Sequence, residues 1–402
     1  MRIRFSGVLD RVEYAIRELA PLARRLEASG RRILYLNIGD PLKYDFETPR
    51  HIIDAFYRAS MVHGSNYYSE SQGLRELRGE VSRFEYRVNR VDVDPEYVFI
   101  TQGVSEGLSF TARILLDPGS EALVPSPSYP LYYAIPYIYD SKPVEYRLIE
   151  GEGWMPDIDD LRRKISDRTK YIVVSNPNNP TGTIIDEKYL RMIIDVAGEY
   201  GLPIVSDEIY SLIYYDSTKP SSPARLSKDV PVFVLNGFSK AFLMTGWRLG
   251  YLYIHDPIGD ARDEARDKIL KLAMLRLSPN TPGQYAAIEA LRGPLSHIDD
   301  MRHRIRGRVK LFIKYLSNLD YVRVVEPKGA FYIFPRLDIG MDDRRLVLDL
   351  LREEGVFIVN GSGFGSMGTG HVRIVTLPPE EVISEAMDKI SRFLERHIVE
   401  SI

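Results

Sequence analysis

The chain contains no cysteine. Disulfides, thiolate metal sites and thiol nucleophiles are thereby excluded, and the composition fits a reducing cytoplasm. No apolar run approaches the roughly 18 residues of a membrane span. Excess charge is also scarce: a net charge of −3 over 402 residues gives no footing for sequence-independent binding to nucleic acid. No internal repeat or low-complexity segment interrupts the chain. What is present is ordinary globular composition, 44% hydrophobic and 27% charged, at a length that suits two or three domains. The arginine-rich N-terminus resembles a transit peptide in part. Its acidic residues Asp10, Glu13, Glu18 and Glu27 instead predict a mature amphipathic helix.

Between residues 95 and 255, strand-like and helix-like patterns alternate. Seven strands are predicted, at Tyr97–Thr101, Glu121–Pro125, Pro143–Leu148, Tyr171–Ser175, Pro203–Ser206, Val232–Leu235 and Leu249–His255. Helices at Ser105–Leu116, Asp157–Ile165 and Glu187–Tyr200 separate several of them. Such alternation predicts an α/β fold with a mostly parallel seven-stranded sheet flanked by helices. Further helices are predicted at Asp260–Leu277 and Pro282–Arg292. Beyond Gly293-Pro294 the pattern changes to helices at His297–Leu316, Asp343–Glu354 and Glu380–His397. Short strands lie among them, near Tyr321–Val325, Ala330–Phe334, Val356–Val359 and His371–Val375. That reads as a smaller α+β unit, joined by the N-terminal segment through a crossing at Asn37–Pro41. The predicted division is a large domain of residues 49–292 and a small domain of 1–48 with 293–402.

Five loops follow apolar strands, at the sheet edge where open α/β folds bind ligands. The most informative carries Lys240, in Asn236-Gly-Phe-Ser239-Lys240. An amine held there between apolar stretches loses hydration, which lowers its pKa and makes it a nucleophile able to form a Schiff base. Arg248 follows, bracketed by Gly246 and Gly250, and suits an anion such as a phosphate. Thr101-Gln-Gly103-Val104-Ser105 turns into a helix, offering free amides and a favourable dipole to phosphate; the alternative is an ordinary helix start capped by Ser105. Val124–Tyr129 turns sharply and presents Tyr129, which suits stacking on a flat heteroaromatic ring. Asn176-Pro-Asn-Asn179-Pro-Thr-Gly182 is a rigid turn that can aim Asn179 at a ring oxygen. Asp207 ends an apolar strand, where a buried carboxylate needs a cationic partner or caps the next helix. Tyr210 lies three residues on, within reach of the same ring. Lysine for an aldehyde and arginine for a phosphate together point to pyridoxal phosphate.

On these motifs the chain resembles the class I/II pyridoxal-phosphate aminotransferases of fold type I. The likeness rests on Asn176–Gly182, Asp207–Tyr210, Ser239-Lys240 and Gly246-Trp-Arg248-Leu-Gly-Tyr251, and extends over essentially the whole chain. The stretches Val12–Arg17, Leu36–Pro41, Asn66–Tyr68, Gln72–Arg78 and Leu277–Pro282 resemble most the archaeal alanine aminotransferases. The resemblance implies ping-pong transamination through an aldimine at Lys240, with alanine and 2-oxoglutarate as substrates. It also implies that Arg373, and the backbone of Gly39 with Asn179, bind the substrate carboxylate. Tyr68 would reach the phosphate of a neighbouring subunit, making a homodimer with shared sites. One position departs from the family: a serine common three residues before the lysine is Gly237 here. That shifts phosphate binding onto Val104, Ser105, Ser239 and Arg248. Aspartate, aromatic or broad-specificity transamination and C–S lysis on the same fold are the alternatives. A transcription regulator would need an added N-terminal DNA-binding domain. Gly361–Gly368 lacks the third glycine of a nucleotide fingerprint, since Ser366 stands there, and reads as a flexible loop near the substrate carboxylate. No metal site and no membrane contact are assigned.

Overall fold

Strands apolar on both faces need cover on both faces, and the sheet meets that need with two helical layers. In the computed structural model, which describes residues 3, 5–216 and 218–399, eight strands form one sheet. From one edge to the other they are Val98–Thr101, Gly250–His255, Val232–Gly237, Ile204–Asp207, Thr169–Ser175, Glu121–Ser126, Lys142–Ile149 and Met155–Pro156. The first seven are the expected strands; the eighth is a two-residue antiparallel edge. Five central strands run parallel, while Gly250–His255 runs antiparallel to both of its neighbours.

Alternate side chains divide between the layers. Val173, Val205, Phe233 and Leu235 pack with Leu108, Ala112, Ile135 and Ile269 from helices Val104–Leu115, Leu131–Ile138 and Arg262–Arg276. Ile172, Val174, Ile204 and Val232 face Leu190, Ile193 and Ala197 of helix Glu187–Glu199. Each fully buried side chain of this kind contributes about 1.5–3 kcal/mol over its exposed state. Registers pair Ser175 with Asp207, and Asp207 with Leu235. The asparagine, aspartate and lysine turns therefore leave three adjacent strands at one level.

Residues beyond 293 form shorter ladders under long helices. Tyr332–Ile333, Val372–Val375 and Val359–Asn360 make an antiparallel three-stranded sheet, with Val372–Val375 at its centre. Leu34–Tyr35 pairs in parallel with Val356–Phe357, and Val375 N–H donates to Leu36 O at 2.9 Å. The N-terminal segment is thus stitched to the later residues, as the crossing at Asn37–Pro41 suggests.

Several local expectations are corrected. The N-terminus is not one helix but three pieces: a 3-10 turn at Gly7–Arg11 and helices Ala15–Glu18 and Ala20–Ala28. Tyr14 is non-helical, and Pro21 lies in the first turn of the last piece, where its missing N–H starts a helix more readily than it continues one. The strand expected over Val356–Val359 is split in two, each half pairing with a different partner. Helices Arg50–Met61, Arg75–Asn89 and Leu131–Ile138 had not been assigned.

Close packing at one glycine positions the site. A β-carbon on Gly250 would lie 2.8 Å from the carbonyl carbon of Gly103 and 3.0 Å from Asn236 O. Gly250→Ala is expected to cost about 1–3 kcal/mol, the usual penalty for overpacking, and to lower the urea midpoint of unfolding. An unchanged midpoint would show that the Gly103 turn yields freely.

Candidate active site

The strand Val232–Gly237 ends in a turn that carries Lys240, which is half-buried. Its Nζ donates to Gly39 O at 2.7 Å and lies 5.7 Å from the ring centre of Phe331. Burial lowers the amine's pKa from 10.5 to about 8; Asp40 opposes this, and Arg373 and Arg248 add to it. A far larger fraction of this amine than of an ordinary lysine is therefore neutral near physiological pH, although the protonated form still predominates. Gly39 has no room for a side chain, since a β-carbon would sit 2.2 Å from the Tyr332 hydroxyl.

Asp207 is 4% exposed. It does not cap a helix: its Oδ1 accepts from Ile209 N at 3.1 Å and its Oδ2 from the Tyr132 hydroxyl at 2.6 Å. Burial raises its pKa to about 6 against the opposing hydrogen bond from Tyr132. A carboxylate so placed favours a cation opposite it.

Gly103, at φ +79°, turns the chain into helix Val104–Leu115. Gly103 occupies the cap, and Ser105 sits inside the first turn without a capping bond, contrary to the helix-start alternative. First-turn amides have no intrahelical acceptor and gather at the positive end of the helix. Arg248 adjoins them: a β-carbon on Gly103 would lie 2.6 Å from its Nη2. Its Nη1 donates to Thr245 O at 3.2 Å. At Gly237 a β-carbon would lie 2.7 Å from Gly250 Cα, so the serine common in the family has no space at this strand end.

Arg373 is not a surface arginine; it is 1% exposed. Its Nη1 donates to Asn179 Oδ1 at 3.1 Å and its Nη2 to Asn37 O. The guanidinium lies 4.6 Å from the Tyr332 ring centre and 4.9 Å from that of Phe364. Asn179 belongs to the stiff turn, in which Asn178 Nδ2 donates to Pro127 O at 3.0 Å. Tyr210 and Tyr332 share a hydroxyl hydrogen bond of 2.7 Å, and Tyr129 and Tyr14 one of 2.9 Å. The Gly361–Gly368 segment is not loose: Ser128 N and the Tyr133 hydroxyl donate to Phe364 O at 2.8 and 2.9 Å, and Met367 N donates to Ser126 Oγ at 3.1 Å.

One cavity of about 540 Å³ brings together Gly39, Val104, Ser105, Tyr129, Asn179, Asp207, Tyr210, Ser239, Lys240, Arg248 and Arg373. Tyr68 lies outside it, 80% exposed. Sequence reasoning missed Tyr14, Ile16, Arg17, Ile38, Asp40, Tyr132, Ser175, Thr245 and Tyr332, which also line it. Tyr14 and Arg17 fall in Val12–Arg17, and Ile38 and Asp40 in Leu36–Pro41. Both stretches mark the family likeness, but no strand end beside them signals a role. Tyr132 follows Tyr129 at helical spacing, a signal available but unused. The arrangement fits pyridoxal phosphate: an anion cradle at Gly103 and Arg248, a buried carboxylate at Asp207, and a desolvated amine share one space.

Comparison with known proteins agrees. Residues 31–390 match the model for the family described as aminotransferase class I and II. The alanine aminotransferase of Mycobacterium tuberculosis is 39% identical over 97% of this chain and 92% of its own length. Glutamate-pyruvate aminotransferase AlaA of Escherichia coli is 35% identical over 98% of each chain. The solved alanine aminotransferase of Pyrococcus furiosus superposes with a TM-score of 0.95 at 48% identity, covering 98% of this chain and 100% of that one. With fold, cavity and family pattern in agreement, the chain belongs to the class I and II aminotransferases, which depend on pyridoxal phosphate.

Proposed function

We propose that this protein transfers the amino group of alanine to 2-oxoglutarate, yielding pyruvate and glutamate, by ping-pong exchange at Lys240. The observation that carries the proposal is the enclosed Lys240 amine, set in one cavity with Asp207 and Arg373. Relatives named for alanine and for glutamate–pyruvate transamination support the choice of substrates.

When bound, pyridoxal phosphate supplies an aldehyde that condenses with primary amines and a ring that withdraws electrons from the substrate α-carbon. Val104, Ser105, Ser239 and Arg248 would hold its phosphate, Tyr129 its ring face, and Asn179 and Tyr210 its ring oxygen. Asp207, fixed by Tyr132, would favour a positive charge on the ring nitrogen. Arg373 grips the substrate carboxylate with the backbone of Gly39 and Asn179, and its fork is pre-set by Asn179 and Asn37. Lys240 Nζ accepts the proton from the substrate α-carbon, a task its lowered pKa suits.

The reading includes a homodimer in a reducing cytoplasm. Tyr57, Met61, Val62, Tyr67, Tyr68 and Leu275 are 56–84% exposed, an apolar surface of the kind that partners cover. On that surface Tyr68 would serve the neighbour's phosphate. Residues 49–292 would then act as the cofactor domain, with 1–48 and 293–402 as the smaller one.

Four outcomes are expected. Lys240→Ala abolishes conversion of alanine and 2-oxoglutarate to pyruvate and glutamate while leaving the far-UV circular dichroism intact; steady ammonia release by the wild type would redirect the reading to a lyase. In cofactor-free protein, only the neutral amine reacts with an acylating reagent. The Lys240 modification rate should therefore rise with a midpoint near pH 8, where an ordinary lysine would wait until about 10.5. Sedimentation should give a dimer, and Tyr68→Phe should weaken cofactor binding by about tenfold without dissociating it.

A further inference from the structure

We propose that Tyr332 is a positioning residue for the cofactor: its hydroxyl donates to Tyr210 and so aims the Tyr210 proton into the cavity, at the ring oxygen of pyridoxal phosphate. The proposal rests on the assignment of Tyr210 to that oxygen and goes beyond it by naming what fixes the direction of the proton.

Strand pairing puts Tyr332 where it can act on two site residues at once. It stands opposite Val375 in the antiparallel ladder, so it shares a face with Arg373, two residues before Val375. The guanidinium accordingly lies 4.6 Å from its ring centre. Phe331 meets both tyrosines, with ring centres 5.0 Å from Tyr332 and 5.2 Å from Tyr210. The backbone just before is tied to the asparagine turn, Lys328 N and Gly329 N each donating to Gly182 O at 2.9 Å. Both phenols are buried, and both line the cavity.

Hydrogen-bond satisfaction sets the direction of the bond between them. The two hydroxyls are 2.7 Å apart, and each carries a single proton. Among the described residues, Tyr210 is the one hydrogen-bonding partner of the Tyr332 hydroxyl. Gly39 walls that hydroxyl on another side, since a β-carbon there would lie 2.2 Å from its oxygen. With Tyr210 as donor, the Tyr332 proton would lack a protein acceptor in a buried place, and the Tyr210 proton would be turned away from the cavity. With Tyr332 as donor, its own proton is satisfied and the Tyr210 proton is left for a ligand. Charge favours the same direction. Burial raises the pKa of both phenols, well above the ordinary value at Tyr210, whereas at Tyr332 the adjoining Arg373 is the main opposing influence. The phenol beside the guanidinium is therefore the better donor. A hydroxyl that accepts a bond also donates more strongly in turn, by about 10–30%. Tyr332 thus both aims and strengthens the bond that Tyr210 can offer.

The test measures binding to the cofactor-free protein of pyridoxal phosphate and of 3-deoxypyridoxal phosphate, which lacks the ring hydroxyl. Tyr332→Phe keeps the ring, with its packing on Arg373 and Phe331, and removes only the hydroxyl. It should weaken binding of pyridoxal phosphate by about threefold to tenfold, the magnitude of one hydrogen bond, and leave the affinity for the deoxy compound unchanged. Tyr210→Phe should show the same selectivity, and adding Tyr332→Phe to it should bring no further loss. Equal losses for the two compounds would mark Tyr332 as a packing residue and overturn the proposal, as would additive losses in the double variant. Selective loss in Tyr210→Phe with none in Tyr332→Phe would overturn the role of Tyr332 and leave the ring-oxygen assignment of Tyr210 standing. Selectivity in neither variant would defeat that assignment as well. A wild type inert toward alanine would defeat only the choice of substrate, because the binding comparison involves no turnover.

Discussion

A primary amine kept from bulk water at the carboxyl edge of a parallel sheet is the constraint on which the rest depends. Left in solvent, Lys240 would stay protonated and inert. Enclosure requires walls, and the walls come from distant parts of the chain: Gly39 from the N-terminal segment, Phe331 and Tyr332 from the later residues, and Asp207 from the adjacent strand. Hence the N-terminal segment must cross to the sheet edge, and the small ladders must bind it through Leu34–Tyr35 and Leu36. The fold supplies hydrophobic layers in abundance; their role at this edge is to hold polar turns at fixed separation.

Much of that arrangement was legible in the sequence because parallel strands make it so. A strand buried on both faces is a continuous apolar run, and its end is marked by whichever Asn, Asp, Gly or Ser breaks it. Asn176, Asp207 and Ser239 are such breaks, so the turns were found together with the strands. Arg373 was different. Its strand alternates too briefly to reveal burial, and only likeness to a family pointed at it.

What escaped reading did so for physical reasons. Tyr14 precedes, and Arg17 sits on, a four-residue helix too short for periodicity to emerge. Tyr132 sits on a helix that contains Pro136, a residue that argues against helix on propensity alone. Residues 49–92 form two helices whose partners lie across long sequence distances, Arg50–Met61 packing on Thr281–Arg292. Tertiary packing stabilises these elements more than local preference does. The glycine loop at 361–368 looked free because its glycines permit motion, yet backbone carbonyls and hydroxyls of the opposing turn anchor it.

Gly250 joins the two halves of the cofactor side, touching the turn before Val104 and the strand that leads to Lys240. Neither segment can lengthen or thicken without the other giving way. Change there must come as matched pairs, whereas Arg17, exposed on the short helix Ala15–Glu18, can be exchanged without moving any backbone.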